Sequence, residues 1–406
     1  MKKSLIIKIL SVEIVLLSVL FVVFIIIIVN EAANAGRDAP AFAASPVPEK
    51  ARAEVLDAKP DANAGKNVFR IPDFPESPPD SPPNPAAPNQ EIASPVTIAF
   101  GGDILIDSGV KQNMYDGGRD AVLPLSHAYP FTQADIAVVN MEFPLSLRGT
   151  PMPDKEFTFR GDPQHISFFT EMGVDLATLA NNHIIDYGYD AFSDTLDLLN
   201  ENGIKYIGAG IDKSDAMRYE IFEVSGKKIA FLNASRVIPV VDWYASSTKP
   251  GVFGTYDPAE LNAQIVLAKE NADYVIVCVH WGVEKSVTPV EYQVNMAKGY
   301  IDNGADAVIG SHPHVLQGFE YYKNKPIAYS LGNFVFTDIN KNTMAITLTL
   351  TGGEVPQIKI IPYHISNRKT TLMENEDDKL ALKAHLEEIS FGVTIDDEWI
   401  VRANGQ

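Results

Sequence analysis

Two histidines stand close together in the segment GSHPHVLQG, which runs from Gly310 to Gly318. His312 and His314 are separated by one residue and follow the short apolar run ADAVIG, which is typical of a buried strand. Because alternate residues of a strand face the same side, both imidazoles are expected to point into one site. Imidazole binds Zn, Fe, Mn or Ni, so the pair indicates a metal site at the end of a strand.

Other apolar runs also end in carboxylate, amide or imidazole side chains. In open α/β sheets, ligands bind outside the carboxyl ends of the strands. The residues at these ends are Asp103, Asn140, Glu142, Asn181, Asn182, His183, His280, Glu284, His312, His314 and Asn333. They suit one or two divalent ions, and a carboxylate such as Glu142 is able to bridge two ions about 3.5–4 Å apart. Taken singly, each residue also fits a structural role, and Asn333 is expected to sit in a turn that supports the site.

The elements that must position these residues alternate along the chain from residue 96 onward. Continuous apolar runs of about four to eight residues predict strands buried on both faces. Amphipathic stretches such as YDAFSDTLDLLNENG predict helices between them. The segments YEIFEVSGKKIAFLNAS and MAITLTLTGGEVPQIKIIPYHI predict antiparallel hairpins. The pattern predicts an α/β domain with mixed sheets over residues 96–365, followed by a C-terminal helix and tail, residues 366–406, packed on that domain.

The first 30 residues have a different composition. Three lysines precede the apolar stretch Ile9–Val29, in which Glu13 is the only charged residue. A stretch of this length crosses a bilayer as a helix, and the lysines predict a cytoplasmic N-terminus. The expected product is a single-pass cell-membrane protein whose C-terminal domain is extracytoplasmic. A cleaved signal peptide is the other interpretation, because ANA at residues 33–35 resembles a cleavage site.

Residues 31–95 are rich in proline and alanine and contain 13 of the 27 prolines, so they are not expected to form a core. Proline-rich chains are semi-extended, which predicts a disordered extracytoplasmic linker that holds the folded part away from the membrane. The whole chain of 406 residues has a formal charge of −19. Because a nucleic-acid partner usually requires a basic face, none is expected.

Six motifs resemble, in order, those of CapA-type poly-γ-glutamate capsule biosynthesis proteins: GGDILI, NMEFPL, LANNHIIDYG, HWGVE, GSHPHVLQG and SLGNFVF. That family is similar in fold to calcineurin-like metallophosphoesterases. The resemblance covers about residues 96–365 and implies a layered α/β/β/α sandwich of mixed sheets with a metal site at the strand ends. The anchor and the linker also resemble the membrane-bound form of the family.

The resemblance also implies a role for individual residues. It implies metal ligation by Asp103, Glu142, Asn182, His280, His312 and His314. It implies that Asn182 and His183 act in catalysis, with His183 protonating a leaving group. Supporting roles fall to Asn140, Asn181, Asp186, Glu284 and Asn333. Leu105 stands where metallophosphoesterases have a ligand histidine, so one strong and one weak ion position are expected. Glu284 offers a compensating carboxylate.

The sequence therefore predicts a membrane-anchored protein of poly-γ-glutamate capsule synthesis or export with a metal-dependent hydrolase-type site. The expected ions are Mn, Zn or Fe. The expected partners are the membrane, poly-γ-glutamate or a similar anionic polymer, and membrane synthase or ligase subunits. Two other functions stay open: an extracytoplasmic metal-dependent phosphoesterase unrelated to capsule, and a non-catalytic subunit that binds polymer.

Overall fold

The computed structural model describes residues 94–405 of the chain. The predicted anchor and nearly all of the predicted linker lie outside these residues. Within residues 94–405, no helix combines the length and the apolar character that crossing a bilayer requires.

The described residues form strands and helices that alternate over much of the chain. The strands are β1 (Val96–Ile104), β2 (Ile136–Met141), β3 (Leu176–Thr178), β4 (Lys205–Ile207), β5 (Ala209–Gly210), β6 (Glu220–Val224), β7 (Lys227–Ser235), β8 (Gly251–Val252), β9 (Tyr274–His280), β10 (Ala307–Ser311), β11 (Leu316–Tyr322), β12 (Lys325–Leu331), β13 (Asn333–Val335), β14 (Asn340–Leu350), β15 (Gln357–Ser366), β16 (Lys369–Leu372), β17 (Val393–Ile395) and β18 (Val401–Ala403). The α-helices are α1 (Ser108–Gly117), α2 (Tyr129–Thr132), α3 (Ile166–Met172), α4 (Gly188–Glu201), α5 (Lys213–Met217), α6 (Ala259–Asn271), α7 (Glu291–Asp302) and α8 (Glu376–Glu388).

Two mixed sheets organise the fold, as the sequence predicts. The first has eight strands in the order β16-β15-β14-β1-β2-β3-β4, with β13 paired to β1. In it β1 to β4 are parallel neighbours, while β14 joins β1 in the antiparallel sense. The second has six strands in the order β11-β12-β10-β9-β7-β6, and its four central strands are parallel. The predicted hairpins are confirmed as the antiparallel pairs β6–β7 and β14–β15.

Each sheet is buried on both faces. Along β2, Val138 packs into the core between the two sheets, and the next residue, Val139, packs against the helices that cover the first sheet. Along β9, Ile276 faces the core between the sheets and Val277 faces the helices of the second sheet. Because successive strand residues point to opposite faces, this double burial explains the unbroken apolar runs in the sequence.

The helices complete the layers. Helices α3 and α4 contribute Phe168 and Phe192 to the core outside the first sheet. On the second sheet, α6 and α7 contribute Ile265 and Tyr300. The layers therefore run helices, sheet, sheet, helices. After the last large strands, α8 buries Leu382 and Leu386 against the core between the sheets, and the tail forms the small β17–β18 pair, which the sequence pattern does not indicate.

Candidate metal centre

Parallel strands bring the polar residues together at one edge of each sheet. In the first sheet, Asp103 near the end of β1 lies in register with Asn140 on β2 and with Asn333 on β13. In the second sheet, His280 at the end of β9 lies in register with Ser311 at the end of β10. Hydrogen bonds across the two sheets show that these two edges meet. We call the set Asp103, Glu142, Asn182, His280, His312 and His314 the candidate metal centre.

Asn140 connects the two edges. Its Nδ2 donates to Asp103 Oδ1 at 2.8 Å and lies 3.4 Å from His280 Nδ1 in the other sheet. Its Oδ1 accepts from Asn181 Nδ2 at 3.3 Å. Asn181 in turn accepts from the backbone N–H groups of His183 and Ile184, each at 3.0 Å. These two asparagines therefore shape the loops around the site.

The Glu142 carboxylate lies at the centre of the cluster without a hydrogen-bond partner among residues 94–405, although both of its oxygens are buried. Its Oε1 is 3.5 Å from His280 Nε2 and 3.9 Å from His314 Nε2. Burial raises the pKa of Glu142 well above its usual 4.5, and the nearby Asp103 raises it further. In surroundings this buried the free carboxyl is neutral, so a bound cation would be what keeps Glu142 ionised.

His280 and Asn182 form the link between the sheets on the other side of Glu142. His280 Nε2 lies 2.7 Å from Asn182 Oδ1, and its Nδ1 lies 3.0 Å from Ser311 Oγ. Burial lowers the pKa of His280 well below 6.5, and the neighbouring His312 lowers it further. The ring is therefore neutral near pH 7, which is the form that binds metal ions.

His312 and His314 share the site, but strand alternation is not the reason. β10 ends at Ser311, so the prediction that both lie on a strand was wrong. Both lie in the following loop with left-handed backbone angles, φ 98° for His312 and 58° for His314. Such angles are uncommon and strained outside glycine, and they cluster at functional sites. The loop brings the two ring centroids to 5.8 Å.

The two histidines differ in their electrostatic surroundings. Burial lowers the pKa of His312 to about 3, and its Nδ1 is buried without a partner among the described residues. Burial also lowers the pKa of His314, but Glu142 and Asp103 outweigh burial and raise that pKa to about 10. Asn333 Oδ1 lies 2.8 Å from His314 Nδ1. The two carboxylates thus attract a positive charge at the position nearest to them.

Among residues 94–405, three groups of donor atoms lie close enough to hold a cation, with the atoms of each group within 4.8 Å of one another. One contains Glu142, His280 and His312, the second contains Asp103, Glu142 and His314, and the third contains Glu284, His312 and His314. The first two share Glu142. Mixed carboxylate and imidazole donors suit Mn, Zn or Fe, so the unpartnered atoms of Glu142 and His312 fit a divalent ion.

His183 and Asp186 form a second cluster beside this centre. His183 Nδ1 lies 2.7 Å from Asp186 Oδ2, and Asp186 is fully buried. Since an ionised carboxylate only accepts, we assign the proton to Nδ1, which leaves Nε2 on the side of the ring away from Asp186. Burial lowers the pKa of His183, while Asp186 opposes that effect. The Phe159 ring covers the imidazole at a centroid distance of 4.6 Å.

Leu105 is fully buried in the core outside the first sheet. Its N–H donates to Val335 O at 2.8 Å, which fixes the backbone at this point. Where metallophosphoesterases have a ligand histidine, this chain therefore has the Leu105 side chain, which packs in the core and supplies no ligand.

Sequence reasoning missed Lys155. Its Nζ donates to the Asn182 carbonyl at 2.5 Å, pairs with Asp186 and lies 3.0 Å from His183 Nδ1. Burial lowers the pKa of Lys155, and Asp186 partly offsets this effect. Lys155 lies in a segment without regular periodicity, so no sequence signal placed it at the site. Asp338, which accepts from Asn333 Nδ2 at 2.6 Å, was missed for the same reason.

Fold and site together define a two-sheet α/β protein with a candidate divalent-cation centre at the carboxyl ends of its parallel strands. The sequence matches the family described as "Bacterial capsule synthesis protein PGA_cap" over residues 97–338. The chain therefore belongs to this family.

Individual relatives agree with this membership. The chain is 32% identical over 281 residues to the capsule biosynthesis protein CapA of Bacillus anthracis, covering 66% of this chain and 67% of that protein. It is 32% identical over 243 residues to the PGA biosynthesis protein CapA of Bacillus subtilis (strain 168), covering 59% and 63%. The chain thus spans about two thirds of the length of these relatives. Among solved structures, an NAD nucleotidase of Haemophilus influenzae aligns with 73% of this chain and 57% of its own, at 14% identity and a TM-score of 0.40.

Proposed function

We propose that this protein is a membrane-anchored component of poly-γ-glutamate capsule synthesis or export that carries a metal-dependent hydrolase-type site. Family membership and the capsule and PGA biosynthesis roles in the names of the two Bacillus relatives support the capsule part. One observation carries the enzymatic part: the Glu142 carboxylate is buried, lacks a hydrogen-bond partner among residues 94–405 and belongs to two donor groups at once.

The arrangement of layers supports a metallophosphoesterase-like interpretation of the fold. Helices cover the outer face of each sheet, and the donors collect where the central strands end. In α/β folds this is the edge at which ligands bind.

Glu142, His280 and His312, with the amide oxygen of Asn182, would hold one divalent ion. Asp103, Glu142 and His314 would form a second, weaker position, because Leu105 supplies no donor there. Glu284 is close enough to His312 and His314 to add a carboxylate. Mn, Zn or Fe fits these donors, and such an ion supplies Lewis-acid and water-activating chemistry.

His183 is the candidate proton donor to a leaving group, a role that requires its doubly protonated form, which burial disfavours and the Asp186 carboxylate favours. Its Nδ1 is held by Asp186, so the ring orientation is fixed and Nε2 is the atom that exchanges a proton with substrate. Phe159 covers the ring and limits the access of water from that side. Asn182, one residue earlier, contacts His280, so the acid and the candidate metal centre share one loop.

One feature favours the alternative of a non-catalytic subunit that binds polymer. Leu105 leaves the Asp103 side of the centre with fewer donors, and a site can keep its ligands and change its role. In that case, an ion would bridge the acidic protein, with its formal charge of −19, and an anionic chain that it would otherwise repel. The partners we propose are the membrane, poly-γ-glutamate or a similar polymer, and membrane synthase or ligase subunits.

Ion binding and turnover test the proposal. We expect the full-length chain to bind Mn²⁺ in isothermal titration calorimetry and to contain a divalent metal by elemental analysis. Glu142→Gln removes the shared charge while keeping the shape, so it should weaken Mn²⁺ binding at least tenfold, as should His312→Ala. Turnover of phosphodiester and γ-glutamyl substrates should fall in parallel, since each substitution removes a donor from two of the three groups.

His385→Ala is the matched control, because His385 lies on α8 outside the donor groups. It should bind Mn²⁺ as the wild type does. Ion binding without turnover of either substrate class would favour the polymer-binding alternative. A wild-type chain that binds no divalent ion would show that the proposed site is wrong.

A further inference from the structure

Lys155 belongs to a segment that crosses the candidate site, which we call the strap (residues 149–160). The strap is attached to the loop that carries Asn182 and His183. Met152 N–H donates to the Asp186 carbonyl oxygen at 2.8 Å, and Phe159 N–H donates to Asp186 Oδ2 at 2.8 Å. Asp186 is thus the residue through which the strap and the loop are joined.

The Lys155 side chain extends from the strap into this junction. Its amine contacts the Asn182 carbonyl, the Asp186 carboxylate and the His183 ring at the same time. Its side chain is 14% exposed, and the amine lies 5.3 Å from the centre of the Trp243 ring. A lysine ammonium carries three N–H donors and no acceptor, so it can hold a carbonyl and a carboxylate together.

The charges of the junction explain why a cation is needed there. Asp186 is fully buried, and its two oxygens are directed at different donors: Oδ1 at Lys155, and Oδ2 at Phe159 N–H and His183 Nδ1. A buried carboxylate is costly unless it is paired and hydrogen-bonded. Removing the amine while leaving the carboxylate would free Asp186 to move, and the His183 ring would lose its fixed partner.

We propose that Lys155 is a positioning residue of this site: by holding the Asp186 carboxylate and the Asn182 carbonyl together, it aligns the Asn182 amide and the His183 ring with the candidate metal centre. The inference rests on the proposed function only in assuming that this centre binds an ion. Lys155 contacts Asn182 and His183, and we expect it to affect ion binding and catalysis through the positions of these two residues. Residues that hold metal ligands in place typically change metal affinity or activity about 10–100-fold when removed.

Three variants of the full-length chain test this role. Lys155→Met keeps the methylene stem over Trp243 and removes the amine. Lys155→Arg keeps N–H donors and the positive charge, on a longer side chain that ends in a planar guanidinium group. Lys249→Met is the matched control, because Lys249 also pairs with an aspartate, Asp242, and lies over an aromatic ring, that of Tyr189. Two readouts are measured: Mn²⁺ affinity by calorimetry, and the ¹⁵N and ring N–H resonances of His183 in ¹⁵N-histidine-labelled, ion-free protein.

Lys155→Met should bind Mn²⁺ about 10–100-fold more weakly than the wild type and should shift the His183 resonances. Lys155→Arg should keep most of the Mn²⁺ affinity and most of the wild-type His183 resonance positions. Lys249→Met should change neither the affinity nor the resonances. Unchanged affinity and resonances in Lys155→Met would overturn the proposal. So would equal losses in Lys155→Met and Lys249→Met, since these would show that removing any ion-paired amine beside an aromatic ring has the same effect.

The two readouts separate this proposal from the proposed function. If the wild type binds no Mn²⁺, the proposed function fails, and the His183 resonances still decide the role of Lys155. If Mn²⁺ binds and the resonances are the same in all variants, the proposed function stands and the positioning role is overturned.

Discussion

Hydrogen bonds on the outer side of each ring decide which nitrogen faces Glu142. Nδ1 of His280 is held by Ser311, and Nδ1 of His314 is held by Asn333. In both rings, Nε2 is the nitrogen nearest to Glu142. Partners of this kind fix the tautomer and orientation of metal-binding histidines. The types of donor could be predicted from the sequence, but the choice of nitrogen could not, because Ser311 and Asn333 act through contacts that only the fold creates.

His165 offers a prediction at the residue scale away from the candidate metal centre. Its Nδ1 accepts from Asp162 N–H at 3.2 Å, so the proton lies on Nε2, which is buried without a partner among residues 94–405. Burial lowers the pKa of His165 below its usual 6.5. A histidine with a lowered pKa in the folded state stabilises the fold above the pKa of the unfolded chain, and this contribution is lost as the pH falls.

We therefore expect the free energy of unfolding of the wild type to fall more steeply below about pH 6.5 than that of His165→Asn. Asparagine keeps an acceptor for Asp162 N–H but does not titrate, so the difference between the two curves isolates the imidazole. Urea unfolding at a series of pH values measures it, with His385→Asn as the control that should follow the wild type. Parallel curves for wild type and His165→Asn would contradict the expectation.

At the scale of elements, the end of β1 depends on a close approach between two backbones. Asp103 N–H donates to Gly332 O at 2.8 Å, and a Cβ at the preceding Gly102 would lie 1.9 Å from the same oxygen. No backbone tolerates that distance without moving. Because Asp103 follows directly, the glycine is what allows this carboxylate to reach the candidate metal centre.

Gly102→Ala should therefore destabilise the protein by about 1–3 kcal/mol or more, the usual cost of overpacking, and should also weaken Mn²⁺ binding. Urea unfolding and calorimetry measure the two effects. Gly299→Ala on α7 is the control, since a Cβ there meets nothing within 4 Å and alanine in a helix gains about 0.5–1 kcal/mol. Loss of stability with unchanged Mn²⁺ affinity would show that Gly102 is needed for the packing of β1 but not for the position of Asp103 in the candidate metal centre.

The elements that could be predicted are those whose pattern is local. The apolar runs of β2 and β9 and the hairpin β6–β7 carry their own periodicity, so the sequence predicted them. The strap and the His312–His314 loop show no such periodicity. The conformation of the strap depends on its contact with Asp186, and that of the loop depends on left-handed backbone angles. The sequence showed that Leu105 stands where a histidine ligand is expected. It did not show that the Leu105 side chain packs in the core.

At the scale of the whole molecule, the apolar stretch Ile9–Val29 makes a prediction about location. We expect the full-length protein in the membrane fraction of cells, because a stretch of this length spans a bilayer. A chain that lacks residues 1–30 should move to the soluble fraction. Deletion of residues 50–79, which has the same length but lies in the predicted linker, should leave the protein in the membrane fraction.

Fractionation and immunoblotting measure this distribution. A wild-type protein released from the membrane, with a mature N-terminus after Ala35, would instead support the cleaved signal peptide. Retention of the chain without residues 1–30 would show that another part of the molecule binds the membrane.

The donors of the candidate metal centre come from both sheets, Asp103 from the first and His280 from the second. The chain has a single cysteine, Cys278, so it has no means of forming an internal disulfide. An ion held between the two sheets would link them, as a disulfide would. Chelation would then loosen the whole sandwich and expose the chain to proteolysis.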